Sequence, residues 1–303
     1  MELHNKPLFS IVIPTYNHAH LINKCIDSIL AQTFTDFEII VVNNFSKDDT
    51  IERVEAYKDK RIKLINFQNN GIIAASRNTG IKNSIGDWIC FLDSDDWWYP
   101  NKLEICNKYT SHYNVIYHTL EQYTIKGKVL FMGKINSRQL KGDIFSDLVI
   151  NGNAICNSSV VVKKDLLIKI GGISEEKELV AVEDYDCWIR IAQIDKKFKY
   201  VNKCLGAYWI GNNMSTASEK SFQVEQFVTN KYIDLLNEHD KFQSLCFLSY
   251  KFGRFYQKLH NSEKALDCFK KSLQSDLYVI KLKSAILISI INIKWLINFE
   301  KYK

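Results

Sequence analysis

Apolar runs recur at residues 9–13, 38–42, 62–65 and 88–92, and stretches of helical periodicity lie between them near 19–32, 48–57 and 71–83. This alternation predicts βαβ units and therefore an α/β domain with a mainly parallel sheet flanked by helices. Ligands of such sheets bind at the carboxyl ends of the strands. Three polar blocks are expected at that edge: Pro14 to Asn17, Asn43 to Ser46 and Asp93 to Asp96.

Beyond residue 97 the pattern shortens and mixes. A helix is expected near 100–111, a strand at Asn114 to Thr124, an apolar run at Ser159 to Val162, a helix from about Glu183, and a strand at Lys199 to Ile210. The pair Gly171-Gly172 suits a C-cap and a tight turn. After about residue 218 the pattern is helical throughout. The predicted division is 1–217 for the α/β domain and 218–303 for an all-helical C-terminal extension.

Within that extension, Gly253, Tyr256, Ala265 and Phe269 stand at the Gly, Tyr, Ala and Phe positions of one tetratricopeptide-like unit. A single unit cannot bury its own face, so an αα-hairpin packed on the α/β domain is expected, with a partner-binding module as the alternative. The stretch from Leu277 to Phe299 is strongly apolar but interrupted by Lys281, Lys283 and Lys294. It falls short of the roughly 20 consecutive apolar residues of a membrane span. Two readings remain open for it: a basic amphipathic helix on an anionic membrane surface, or a helix packed on the hairpin.

The stretch with the most chemistry is Phe91-Leu92-Asp93-Ser94-Asp95-Asp96-Trp97, three carboxylates directly after an apolar run. Carboxylates this close repel one another unless a cation neutralises them, and a hard divalent ion so held keeps positions free for phosphate oxygens. A solvated acidic turn is the plain alternative. The surrounding blocks, Leu8 to Asn17, Phe37 to Ser46, Asn70 to Gly80, Gly86-Asp87 and the acidic cluster itself, appear in an order that resembles the nucleotide-binding half of the family 2 glycosyltransferases. The resemblance runs over roughly residues 8–215.

That resemblance implies the GT-A fold and an inverting sugar transfer from a nucleotide-sugar donor, a UDP-sugar by first expectation, to a glycan or lipid-linked glycan hydroxyl. It places Pro14, Tyr16, Asn44, Arg77 and Asp93 around the nucleotide, with Tyr16 stacking on the base and the Arg77 fork near phosphate. It makes Asp95 and Asp96 the ligands of Mn²⁺ or Mg²⁺, the family's acidic motif corresponding to Asp93 and Asp95. In Val182 to Arg190 it makes Asp184 the base that deprotonates the acceptor. Two acids in a helix's first turn also have a plain reading in the helix dipole, and Asp186 with Arg190 reads as a helix-surface ion pair.

Two departures stand out. Asn44 occupies a position where many relatives carry an aspartate that reads the uracil imide, and an amide both donates and accepts. In Gly206 to Ser215, Trp209 and Gly211 stand where many relatives have arginine and histidine. Either the metal keeps an extra water or asparagines substitute. Two rival functions stay open: a sugar nucleotidyltransferase, which would also use a strand-end metal site but should show a glycine-rich, Lys/Arg-containing phosphate loop where Pro14-Thr15-Tyr16-Asn17 has none, and, motivated by the two departures, a weakly active scaffold that binds partners through the helical extension.

Composition narrows this little further. With 303 residues, 46% of them hydrophobic, and a net charge of +6, the chain can bury a large core, and no basic run interleaved with aromatics suggests nucleic acid. The eight cysteines are scattered without a C-x-x-C pair and read as reduced core thiols. Met1 to Pro7 is short and polar, with no secretory pattern. The sequons Asn44-Phe45-Ser46 and Asn213-Met214-Ser215 fall in expected site loops, where glycosylation would obstruct them. The expected location is the cytoplasm, with the inner face of a membrane as a peripheral site.

Overall fold

The computed structural model describes residues 6–129, 134–135, 137–211 and 219–300. The strands are β1 (Phe9–Thr15), β2 (Phe37–Asn43), β3 (Ile62–Asn66), β4 (Trp88–Phe91), β5 (Trp97–Trp98), β6 (Val115–Thr124), β7 (Gly127–Lys128), β8 (Lys134–Ile135), β9 (Val161–Lys163) and β10 (Phe198–Trp209). The helices are α1 (Ala19–Leu30), α2 (Thr50–Glu55), α3 (Ile73–Asn83), α4 (Lys102–Asn107), α5 (Ile144–Asn151), α6 (Lys164–Lys169), α7 (Glu183–Ile194), α8 (Glu219–Tyr232), α9 (Glu238–Lys258), α10 (Ser262–Ser272) and α11 (Tyr278–Glu300).

The strands form one mixed sheet in the order β3-β2-β1-β4-β9-β6-β10-β5, with β7 and β8 paired to β6. β1 to β4 run parallel, and β9 lies antiparallel between β4 and β6. Central parallel strands are covered on both faces and therefore read as continuous apolar runs. Every residue of β1 is buried. The register sets Thr15 opposite Asn43 and Asn43 opposite Asn66, so these strands end level with one another. β4 stops beside Val12, and Leu92 extends the pairing through its amide to the Val12 carbonyl, which delivers Asp93 to the same edge.

Close packing explains one glycine in this unit: a Cβ on Gly80 of α3 would lie 2.3 Å from Val12 Cγ1 of β1. The short helix α6 ends as its Gly-Gly pair predicts, with Gly171 and Gly172 both at positive φ and their amides returning to Ile168 and Leu167. Segments that a periodicity reading passes over are the short β5, β7 and β8 and the helix α5.

The chain groups into two compact units, Met1–Ile144 with Asn153–Met214, and Phe145–Gly152 with Ser215–Lys303. The helical unit thus includes most of α5 as well as the segment expected after residue 217. Within it, Ser244 Oγ donates to the Val149 carbonyl at 3.0 Å and Phe145 meets the Tyr232 ring edge-on. Ala265 and Phe269 are fully buried between α9, α10 and α11, and the Asn261 side chain caps α10 by accepting from the Lys264 amide. Among the described residues no helix is long and apolar enough to cross a membrane.

Candidate active site

Three strand ends and the start of α7 build the site. After β1 the chain turns at Asn17, whose φ is positive, and after β2 it turns at Phe45, also at positive φ. Non-glycine residues hold that conformation only when their surroundings fix it. Here the two turns fix each other: the Asn17 amide donates to Ser46 Oγ, the Lys47 amide donates to Asn17 Oδ1, and Asn43 Oδ1 accepts from the Ser46 amide and hydroxyl. Tyr16, next to this knot, is 46% exposed at the strand end. Pro14, one residue before the end of β1, is buried opposite Val42.

Asn44 is partly buried, and its Oδ1 accepts from the Asn69 amide at 2.9 Å. A backbone N–H can only donate, which fixes the orientation of the side chain and turns its NH₂ into the group left for other partners.

The acidic block separates into three environments. Asp93 Oδ1 accepts from Arg77 Nη2 at 2.8 Å and from Asn157 Nδ2 at 3.3 Å, while its amide donates to Ser158 Oγ. Asp95 is partly exposed. Asp96 is buried, and its Oδ1 accepts from the Trp209 amide of β10 at 2.8 Å. Burial, then the neighbouring charges of Asp95 and Asp93, push the Asp96 carboxyl well above the ordinary range. One oxygen of Asp96 thus serves a backbone amide of the fold, while its Oδ2 is buried without a hydrogen-bond partner.

Arg77 lies in the same charged cluster. Its side chain is 4% exposed and its two terminal nitrogens meet Asp93 and Glu183, the latter at 2.5 Å. Burial opposes its charge, but Asp93 and Glu183 outweigh that and hold it firmly cationic. The guanidinium fork thus joins two carboxylates. Glu183 was not expected in the site; it is buried, and its second oxygen accepts from the Ala181 amide at 2.7 Å, in a turn where Ala181 has φ 80°. Its neighbour Asp184 is partly exposed at the start of α7, and burial and the Glu183 charge push its carboxyl up to about 7.

Other residues here carried no sequence signal. His18 Nδ1 lies 2.7 Å from Ser94 Oγ, and Asn157 and Ser158 come from a turn with no recognisable motif. Asp186 and Arg190 do pair, at 2.7 Å, but Asp186 is fully buried and not on a helix surface. Asn212 and Asn213, suggested as substitutes for a metal-holding histidine, lie outside the described residues.

No group of three or more candidate metal ligands converges among the described residues. The acidic donor set suits a cation held by one or two carboxylates and completed by diphosphate oxygens, and not an enclosed protein cage.

Residues 10–170 match the model of the family described as Glycosyl transferase family 2, more than half of the chain. The chain belongs to glycosyl transferase family 2. Among its relatives is an uncharacterized glycosyltransferase of Rickettsia typhi, 33% identical over 196 residues that cover 63% of this chain and 61% of that protein. Another is the UDP-Glc:alpha-D-GlcNAc-diphosphoundecaprenol beta-1,3-glucosyltransferase WfgD of Escherichia coli, 32% identical over 200 residues, 64% of this chain and 73% of that one. The match spans about three fifths of two Rickettsia relatives, 61% and 59% of their length, but only 24% of a longer one from Rickettsia conorii.

Solved structures agree on the fold. Staphylococcus aureus TarS 1–349 in complex with UDP-GlcNAc aligns over 90% of this chain and 82% of its own, with a TM-score of 0.60 at 19% identity. The mannosyltransferase PcManGT of Pyrobaculum calidifontis in complex with GDP-Man and Mn²⁺ aligns over 97% and 81%, with a TM-score of 0.59 at 16% identity. The family 2 domain therefore has the GT-A fold expected from the sequence, followed by a helical C-terminal region.

Proposed function

We propose that this family 2 protein is an inverting glycosyltransferase that moves a hexose-type sugar from a nucleotide-sugar donor to a hydroxyl of a glycan acceptor. The observation that carries this reading is the Asp184 carboxyl: partly exposed, set beside the Arg77–Asp93 pair, and raised to about 7. A general base is most effective when its pKa lies near the working pH.

In this reading Tyr16 offers its exposed ring to the nucleobase and the Asn44 amide nitrogen donates to the base edge. Asp93, oriented by Arg77 and Asn157, faces the ribose or sugar. Asp95 would hold Mn²⁺ or Mg²⁺ together with diphosphate oxygens, with Asp96 shaping the turn behind it. When bound, such a cation neutralises charge on the departing diphosphate. Asp184 accepts the proton of the acceptor hydroxyl as its oxygen forms the bond to the anomeric carbon. The bond from that carbon to the diphosphate oxygen breaks in the same displacement, and the anomeric configuration inverts.

The Escherichia coli relative's name specifies a lipid diphosphate acceptor, and that supports a lipid-linked acceptor at the inner face of a membrane. The sugar nucleotidyltransferase reading has no support in the turn after β1, which lacks a glycine-rich loop. The test is transfer and donor hydrolysis with UDP-glucose, UDP-GlcNAc and GDP-mannose, each with Mn²⁺ or Mg²⁺. Turnover of at least one donor with inversion at the anomeric carbon is expected. Retention of configuration would overturn the single-displacement reading, and absence of turnover with any nucleotide sugar would favour the scaffold.

A further inference from the structure

The two readings of the last apolar stretch are not exclusive once α11 is placed. One face of this helix packs inward: Ile280, Ser284 and Ile291 are buried, Leu287 and Ile288 lie against Ala265 and Phe269, and Ser284 Oγ is 2.7 Å from Ser272 Oγ. The opposite face is apolar too, yet open. Tyr278, Val279, Leu282, Ile286, Ile290 and Ile293 are all exposed, from 40% at Ile290 to 74% at Tyr278.

With about 100° of rotation and 1.5 Å of rise per residue, these six positions share an arc of roughly 120° and a length of about 22 Å. Lys281 and Lys283, both exposed, flank that arc, about 100° to either side of Leu282. No acidic residue occurs from Tyr278 to Phe299, and residues 277–303 carry five lysines against one glutamate. A second copy of this chain docked face to face would bring lysines together with no carboxylate to meet them. Anionic headgroups supply the missing charge, and lysine stems at the edge of an apolar face reach them while the apolar side chains enter the headgroup boundary.

We propose that the outer face of α11 lies in the interface of an anionic lipid surface, with Lys281 and Lys283 at the headgroups. This goes beyond the transferase reading and does not depend on the donor or acceptor. Deleting α11 would uncover Ala265 and Phe269, so point substitutions on the exposed arc are the suitable variants.

The experiment is co-sedimentation of the full chain with vesicles of phosphatidylcholine mixed with phosphatidylglycerol, and of phosphatidylcholine alone, at rising salt. Binding to the anionic vesicles that weakens with salt is expected. Leu282→Asp with Ile286→Asp, which removes apolar burial, and separately Lys281→Glu with Lys283→Glu should each reduce binding at least about tenfold, since each lysine near such a surface contributes roughly a fivefold factor. Circular dichroism and donor hydrolysis should not change. The proposal is overturned if the intact chain ignores both vesicles, if it binds both equally, if either double variant binds as before, or if light scattering finds a dimer that Ile286→Asp separates.

Discussion

Arg77 Nη1 lies 2.5 Å from Glu183 Oε1, which ties the first residue of α7 to the middle of α3. The same guanidinium reaches Asp93 at 2.8 Å, so one buried cation positions the strand-end aspartate and the residue next to the proposed base. Removing one partner of a buried pair leaves an uncompensated charge. Arg77→Ala is expected to cost about 3–5 kcal/mol of stability in a denaturant titration. Arg77→Lys should recover little, because a point ammonium cannot span both carboxylates as the fork does. Near-normal stability of Arg77→Ala would show that water replaces the pair.

Asp184→Asn should leave donor affinity intact and lower the transfer rate by about 10²-fold or more, within the range for loss of a general base. The pH profile carries the same prediction. Asp184 acts as a base only when ionised, so kcat/KM should rise with pH through an apparent pKa near 7, and that limb should vanish in the variant. Its native pKa is raised above the unfolded value of about 3.9, so the native state binds the extra proton in between. The stability this contributes is complete at acid pH and is lost as pH rises through 7. Asp184→Asn should therefore melt higher than the parent at pH 8, by about 2–4 °C for each kcal/mol relieved.

Asp96 separates a fold role from a ligand role. Asp96→Asn keeps an oxygen for the Trp209 amide and drops a charge that the pocket disfavours, so stability should hold or rise. Asp96→Ala strands that amide and should cost about 1–3 kcal/mol. Equal melting of the two variants would remove the Trp209 hydrogen bond from the argument.

Asp95→Ala should melt like the parent without ligand, because the residue is partly exposed at a turn. What should disappear is the gain from nucleoside diphosphate in Mn²⁺. A ligand at 100 times its dissociation constant stabilises by about 2.7 kcal/mol. An undiminished shift in the variant would exclude Asp95 as the metal carboxylate.

In the helical unit, a Cβ on Gly253 would lie 2.5 Å from the Phe269 ring. Gly253→Ala should therefore destabilise that unit by about 1–3 kcal/mol through overpacking. Phe269→Leu in the same chain should return part of the loss. A melting midpoint unmoved by Gly253→Ala would mean that the ring can step aside.

Local periodicity and block order determined much of this protein by themselves. The runs that became β1, β2 and β4 are covered on both faces, so burial wrote them into composition as uninterrupted apolar stretches, and the polar residues after them had to lie at one sheet edge. The order of those blocks gave the family, and the Gly253 and Phe269 pattern gave the hairpin. The tertiary structure decided which polar residues act on the fold and which face outward. Asp95 and Asp96 are adjacent and chemically identical, yet only the arrival of β10, 113 residues later, gives Asp96 the Trp209 amide and buries it. Arg77 reads as a phosphate fork until Glu183, 106 residues away, closes on it. Both faces of α11 are largely apolar, and it is packing against Ala265 and Phe269 that leaves one of them open. Charge pairing and burial across such separations depend on which segments meet in space, and no local pattern of polar and apolar residues records that.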